Sequence, residues 1–96
     1  MFDKLLQAQQ KAEEIKRRLD AVSVTGEAEG GLIRVTATAS KEITEVYIDP
    51  VFLANVEKEE LEELLVVAIN KAMQQADNVS QSEMQAVTKD MFGGLL

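Results

Sequence analysis

The chain has no cysteine, no histidine and no tryptophan. Without thiols there are no disulfides and no thiolate chemistry, which fits a reducing compartment. Without imidazoles the commonest general base and the commonest transition-metal ligand are both missing. Aromatic residues number four: Phe2, Tyr47, Phe52 and Phe92. Proline occurs once, at Pro50, so long stretches run uninterrupted. The longest apolar run, Leu64 to Ile69, is far short of the roughly 20 residues of a membrane span. The opening residues show no basic segment followed by an apolar one, so a cytoplasmic protein is the expectation.

What remains is aliphatic and acidic. Apolar residues make up 46% of the 96 positions, enough for one small core of Leu, Ile, Val, Ala and Met. The net charge is −7, unevenly spread. Residues 1–41 hold seven basic and six acidic side chains, a balance of +1. Residues 42–96 hold three basic and eleven acidic ones, a balance of −8. Such asymmetry speaks to partners more than the total does.

Periodicity orders the chain into α+β elements. Leu5, Ala8, Ala12, Ile15, Leu19 and Val22 step by 3 and 4, a heptad seam on a helix from Phe2 to about Asp20. A strand follows at Val22–Glu27, then a turn at Gly30-Gly31, a strand at Leu32–Ala39, a turn at Ser40-Lys41-Glu42, and a strand at Ile43–Asp49. The short links predict an antiparallel meander between two helices, an αβββα protomer. Val51 to Ala54 is expected to be irregular or 3₁₀ and to plug the core. Asn55 is expected to cap a second helix from Val56 to about Lys89. Leu61, Leu65, Ala68, Ala72, Ala76 and Val79 mark its inner stripe, widened by Leu64 and Ile69. The register slips after Val79 and resumes at Met84, Val87 and Met91, so Ser80 is a candidate kink. Residues 1–92 form one domain and 93–96 a flexible tail on this reading.

A helix of some 30 residues is about 45–50 Å long, whereas strands of five to eight residues span about 17–27 Å. The second helix must overhang its sheet, and a twofold copy would cover its apolar stripe and an open sheet edge. A homodimer is therefore expected. The competing geometry breaks the helix at Ser80 and folds it back.

Chemistry-bearing constellations are few. Glu57, Glu59, Glu60, Glu62 and Glu63 stand at a helix start, where a solvated acidic face is the ordinary explanation. Glu29-Gly30-Gly31 lacks the lysine and hydroxyl of a phosphate loop. No EF-hand spacing occurs, so neither metal nor cofactor is expected, and no catalytic residue is assigned. Lys4, Lys11 and Arg18, seven apart, form a line beside the first seam, thickened by Lys16 and Arg17. Such a line suits a phosphate backbone. On spacing alone, the plainer role of solubilising the seam outweighs DNA contact.

The order and spacing of several segments change that balance. Gln7-Ala8-Gln9-Gln10, Val24-Thr25-Gly26-Glu27, Gly30-Gly31, Val35-Thr36 and Val46-Tyr47-Ile48-Asp49-Pro50 lead into Leu61-Glu62-Glu63-Leu64-Leu65. Ala68-Ile69-Asn70-Lys71-Ala72 completes the set. Together they resemble the YbaB/EbfC family of bacterial nucleoid-associated proteins, over nearly the whole chain. The resemblance implies an intertwined dimer with helices projecting like tweezer arms. It also implies cytoplasmic, nucleoid-associated binding of double-stranded DNA with little sequence preference, a role in nucleoid organisation or gene expression, and no enzyme activity. The family's contacts map to Lys4, Lys11, Lys16, Arg17 and Arg18, with Lys89 added near the end of the second helix. The turn at Ser40-Lys41 lacks the glycine that relatives often carry. A dimer carries twice −7, or −14, so binding is expected to be local to the arms and weak at physiological salt. The alternative reading is an acidic protein-interaction module that docks a basic or helical partner without touching DNA.

Overall fold

In a computed structural model, which describes residues 2–92, the order is α1 (Phe2–Asp20), β1 (Ser23–Ala28), β2 (Ile33–Thr38), β3 (Ile43–Ile48), α2 (Pro50–Asn55) and α3 (Lys58–Phe92). The expected tail at 93–96, with its Gly93-Gly94 stop, lies outside the described residues. So do the side chains of Phe2, Val87, Thr88 and residues 90–92, and with them the outer part of the proposed stripe. The strands form one antiparallel sheet in the order β1-β2-β3, as the short links imply.

A 3₁₀ turn at Glu29–Gly31 joins β1 to β2, with positive φ at Glu29, Gly30 and Gly31. Gly31 also makes room: a Cβ there would press on the Arg34 guanidinium and the Glu27 carboxylate. The β2–β3 turn uses Lys41 at φ 72°, a left-handed position filled without glycine. Lys41 is ion-paired with Asp77 of α3, which ties this turn to the helix.

The core is thin and close. Alternation along β1 and β2 points Val24, Gly26, Ala28, Ile33, Val35 and Ala37 at α3, which answers with Ala68, Ala72 and Ala76. Small residues on both sides bring backbone nearly to backbone. A Cβ on Gly26 would lie 2.1 Å from the Ala68 carbonyl oxygen and 2.4 Å from the Ala72 nitrogen. Larger side chains, Leu61, Leu64, Leu65, Ile69, Met73 and Val79, close the margins.

α3 lies over β1 and β2. It leaves the same face of β3 open: Ile43 and Val46, cross-strand partners of buried Ala37 and Val35, are 43% and 48% exposed.

Three local expectations need correction. The segment after β3 is a helix, α2, because the Asp49 carboxylate accepts from the Phe52 N–H (3.0 Å) and Pro50 occupies the first turn. Only Phe52 packs against the core; Val51 and Leu53 are exposed, so the segment does not plug it. Asn55 does not cap the long helix. It ends α2, donating its side-chain amide to the Val51 carbonyl, and α3 starts at Lys58. Ser80 is no break either, since α3 runs through it for 35 residues, about 52 Å at helical rise.

Candidate nucleic-acid interface

α1 joins the sheet only at its C-terminal end. Leu19 is buried, its carbonyl accepts from the Ala39 N–H (3.1 Å), and the Ser40 hydroxyl donates to the Asp20 carboxylate. α3 passes the same end of the sheet, where Asp77 meets Lys41. The N-terminal part of α1 and the C-terminal part of α3 therefore project from one end, and the molecule measures 61 × 24 × 18 Å. Every side chain from Asp3 to Glu14 is exposed, including Leu5 at 64% and Leu6 at 54%. The Leu5, Ala8 and Ala12 part of the seam, which no described element of its own chain covers, makes the N-terminal half of α1 an arm rather than a packed layer.

The basic line lies on this arm. Lys4, Lys11, Lys16, Arg17 and Arg18 are all exposed. Seven-residue spacing advances about 10.5 Å and drifts about 20° around the helix, so Lys4, Lys11 and Arg18 follow one gentle spiral roughly 21 Å long. Lys16 and Arg17 stand on other sides of the same two turns, widening the cationic surface near the base. Arg17 and Arg18, in the last turn, also complement the negative end of the helix dipole.

Lys89 is exposed in the last turn of α3, on a different helix. It lies six residues beyond Glu83, roughly 9 Å along the axis and about 120° around it. The expected site is thus one continuous line on α1 plus a separate cation on α3.

Ion pairs distinguish these cations. The Arg18 guanidinium lies 3.6 Å from the Glu83 carboxylate of α3, the point at which the two arms are tied. Among the described residues, Lys4, Lys11, Lys16, Arg17 and Lys89 make no ion pair within 4 Å. The three-residue spacing of Glu13 and Lys16 is not used as a pair.

Three cations outside the line are engaged elsewhere. Lys58 pairs with Glu62 one turn on, and Lys41 with Asp77. Arg34 pairs with its cross-strand neighbour Glu27 at 3.4 Å and lies over the Tyr47 ring, 6.0 Å from its centre. Arg34 and Tyr47 line an open concavity of about 460 Å³ on the sheet face away from α3, with Thr25, Thr36, Glu45 and Asp49. Sequence reasoning missed these pairs. Glu27 and Arg34 become legible once the turn fixes their register; Arg18 and Glu83, 65 positions apart, do not.

The acidic residues expected at the start of the long helix, Glu57, Glu59, Glu60, Glu62 and Glu63, are exposed. They stand at the end of α3 opposite the arms. The α1 arm itself carries exposed Asp3, Glu13, Glu14 and Asp20 among its five cations, a balance of +1, whereas the start of α3 is acidic apart from Lys58. A polyanion approaching the arm end meets the cations at short range, within a Debye length of about 8 Å at physiological ionic strength.

Comparisons with known proteins bear on the fold and the family. The model of the YbaB/EbfC DNA-binding family matches residues 1–91. A nucleoid-associated protein of Flavobacterium johnsoniae is 38% identical over 89 residues, covering 93% of this chain and 82% of that one. One from Afipia carboxidovorans is 40% identical over 95 residues, covering 99% and 87%. A crystal structure of an uncharacterized Helicobacter pylori protein shares the fold, with a TM-score of 0.66 at 20% identity over 81% of this chain and 92% of that one. With the whole αβββα unit matched from the first helix to the end of the second, the chain belongs to the YbaB/EbfC DNA-binding family.

Proposed function

We infer that this protein acts as a homodimer that binds double-stranded DNA through the α1 arms, by phosphate contact and shape, with little sequence preference. On this reading it works in the nucleoid, organising DNA or affecting gene expression. The observation that carries it is the exposed Lys4/Lys11/Arg18 line on a helix that its own chain leaves uncovered. Lys16, Arg17 and, on α3, Lys89 extend the contact. Flexible cations on a helix surface meet phosphate oxygens, which position a protein without reading bases.

Pairing of two copies is supported by what a single copy leaves in water. The inner face of β3 shows Ile43 and Val46, α3 shows Met84 at 54% exposed, and α1 shows Leu5. Apolar surface of this kind on both sheet and arms is the usual mark of an interface, and β3 is also an open edge. A twofold axis would double the basic line at no cost in new sequence.

The test is a salt series of affinity for duplex DNA. Each phosphate contact contributes about −0.9 to the slope of log K against log salt. The Lys11→Ala/Arg17→Ala/Arg18→Ala triple variant is expected to flatten the slope by up to about 2.7 units for each protomer engaged and to weaken all duplexes alike. An unchanged slope would remove these residues from the interface. If no duplex is retarded at low salt while a basic protein partner co-purifies, the acidic end is the working surface.

A further inference from the structure

The inner stripe of α3 contains one residue of the wrong kind. Leu61, Leu65, Ala68, Ala72, Ala76 and Val79 step by 4, 3, 4, 4 and 3, and the next position in that seam is Glu83. Since α3 is continuous through Ser80, the apparent slip of register is no kink. It is a carboxylate standing where the stripe calls for an apolar side chain. Beyond Ser80, Glu83 is also the only partly buried side chain among those described, 31% exposed, and it faces the 62% exposed Arg18 at 3.6 Å.

We propose that Glu83 is a positioning residue for DNA binding: it holds Arg18 at the junction of the two arms and competes with phosphate for it. The inference rests on the DNA-binding reading given above. Of the five cations on α1, Arg18 stands nearest the vertex where α1 and α3 diverge, so it is the one DNA reaches last. Its guanidinium has five donors in a fixed fork and is suited to bidentate capture of phosphate or carboxylate alike. With Glu83 in place, the fork is turned along the molecule toward α3. A phosphate that seats at the base of the arms must displace the carboxylate, whereas one meeting Lys4 or Lys11 displaces only water and counterions. Glu83 thus lowers the number of phosphates held and fixes the splay between the arms.

The decisive measurement is a charge-matched comparison by fluorescence anisotropy on a mixed-sequence duplex over a salt series. Glu83→Gln is expected to tighten binding roughly 2- to 5-fold at low salt. It should also steepen the salt slope by about one unit per Arg18 released. Glu60→Gln removes the same charge from the far end of α3 and is expected to leave the slope unchanged. Arg18→Ala should weaken binding in both backgrounds, and by several-fold more in the Glu83→Gln background, a coupling that a merely structural glutamate would not produce.

The second readout needs no DNA. The chain has no native cysteine, so spin labels at Gln10→Cys and Gln85→Cys, diluted with unlabelled chain, report the separation of the arms. Glu83→Gln should broaden that distance distribution. If DNA binds and Glu83→Gln behaves as Glu60→Gln does, the positioning role is overturned and the DNA reading stands. If the native protein retards no duplex yet the label distances respond to Glu83→Gln, the DNA reading fails and only the tie between the arms survives. An unchanged distance distribution overturns that tie.

Discussion

The two halves of α3 begin from nearly the same pattern and come to opposite ends. From Leu61 to Val79 the stripe is covered: Ala68, Ala72 and Ala76 are fully buried, pressed on a strand with a glycine at the contact. Beyond Ser80 the helix continues, but Met84 is 54% exposed and, among the described side chains, only Glu83 is partly covered. α1 repeats the contrast, with Leu19 buried against the sheet and Leu5 in water. Helical periodicity is the same in both regions; the sheet ends between them. Stability therefore belongs to the sheet-backed half, and on the proposed function DNA contact belongs to the arms, so damage to the arms should spare the fold.

The largest effect should come from the tightest contact. Gly26→Ala places a Cβ inside the backbone of α3, against Ala68 and Ala72, and no flexible side chain is there to give way. The helix must shift off the sheet, at a cost of about 3 kcal/mol or more. For a domain with a total stability of roughly 5–15 kcal/mol, that brings the urea midpoint sharply down. A midpoint within error of the native one would mean that α3 does not lie this close. The arm variants, by contrast, should leave the midpoint almost unmoved, because exposed cations contribute little to folding.

The proposed dimer offers a sharper cut between the regions. Val46 faces the core side of the sheet from the one strand that α3 leaves open. Val46→Asp is expected to leave helical content intact and to raise the dimer dissociation constant at least about tenfold, since the lost burial and the added charge count twice across a twofold axis. Sedimentation equilibrium on the native and variant chains decides it. A native protein that stays a compact monomer at micromolar concentration would refute the paired form outright.

Much of this was legible in the residues. β-Branched alternation around the turns at Gly30-Gly31 and Ser40-Lys41-Glu42 predicts the meander, and the alanine stripe marks the face of α3 that meets it. Family membership was legible from the order of short segments. The sequence misled where local and tertiary chemistry diverge. Val51-Phe52-Leu53 reads as irregular on propensity, but the Asp49 carboxylate and Pro50 nucleate a helix there. The slip after Val79 reads as a kink at Ser80 because Glu83, the next position of the stripe, has its partner Arg18 far away in the chain and adjacent only after the arms are placed. Which cations are free is likewise a tertiary property, invisible to a count of charges.

The smallest expected effect tests the turn between β2 and β3. Lys41 adopts φ 72°, a conformation that costs a residue with a Cβ about 1–2 kcal/mol and costs glycine little. Its side chain in return pairs with Asp77 on α3, a contact more than a third exposed at both partners and worth at most about 1 kcal/mol. Lys41→Gly removes the strain and the pair together, and adds some freedom to the unfolded chain. The three contributions nearly cancel, so stability should move by less than about 1 kcal/mol in thermal or urea denaturation. Lys41→Ala keeps the strain and loses the pair, and should be the less stable of the two. If the alanine variant equals or exceeds the glycine variant, the left-handed conformation at position 41 carries no cost for a residue with a Cβ.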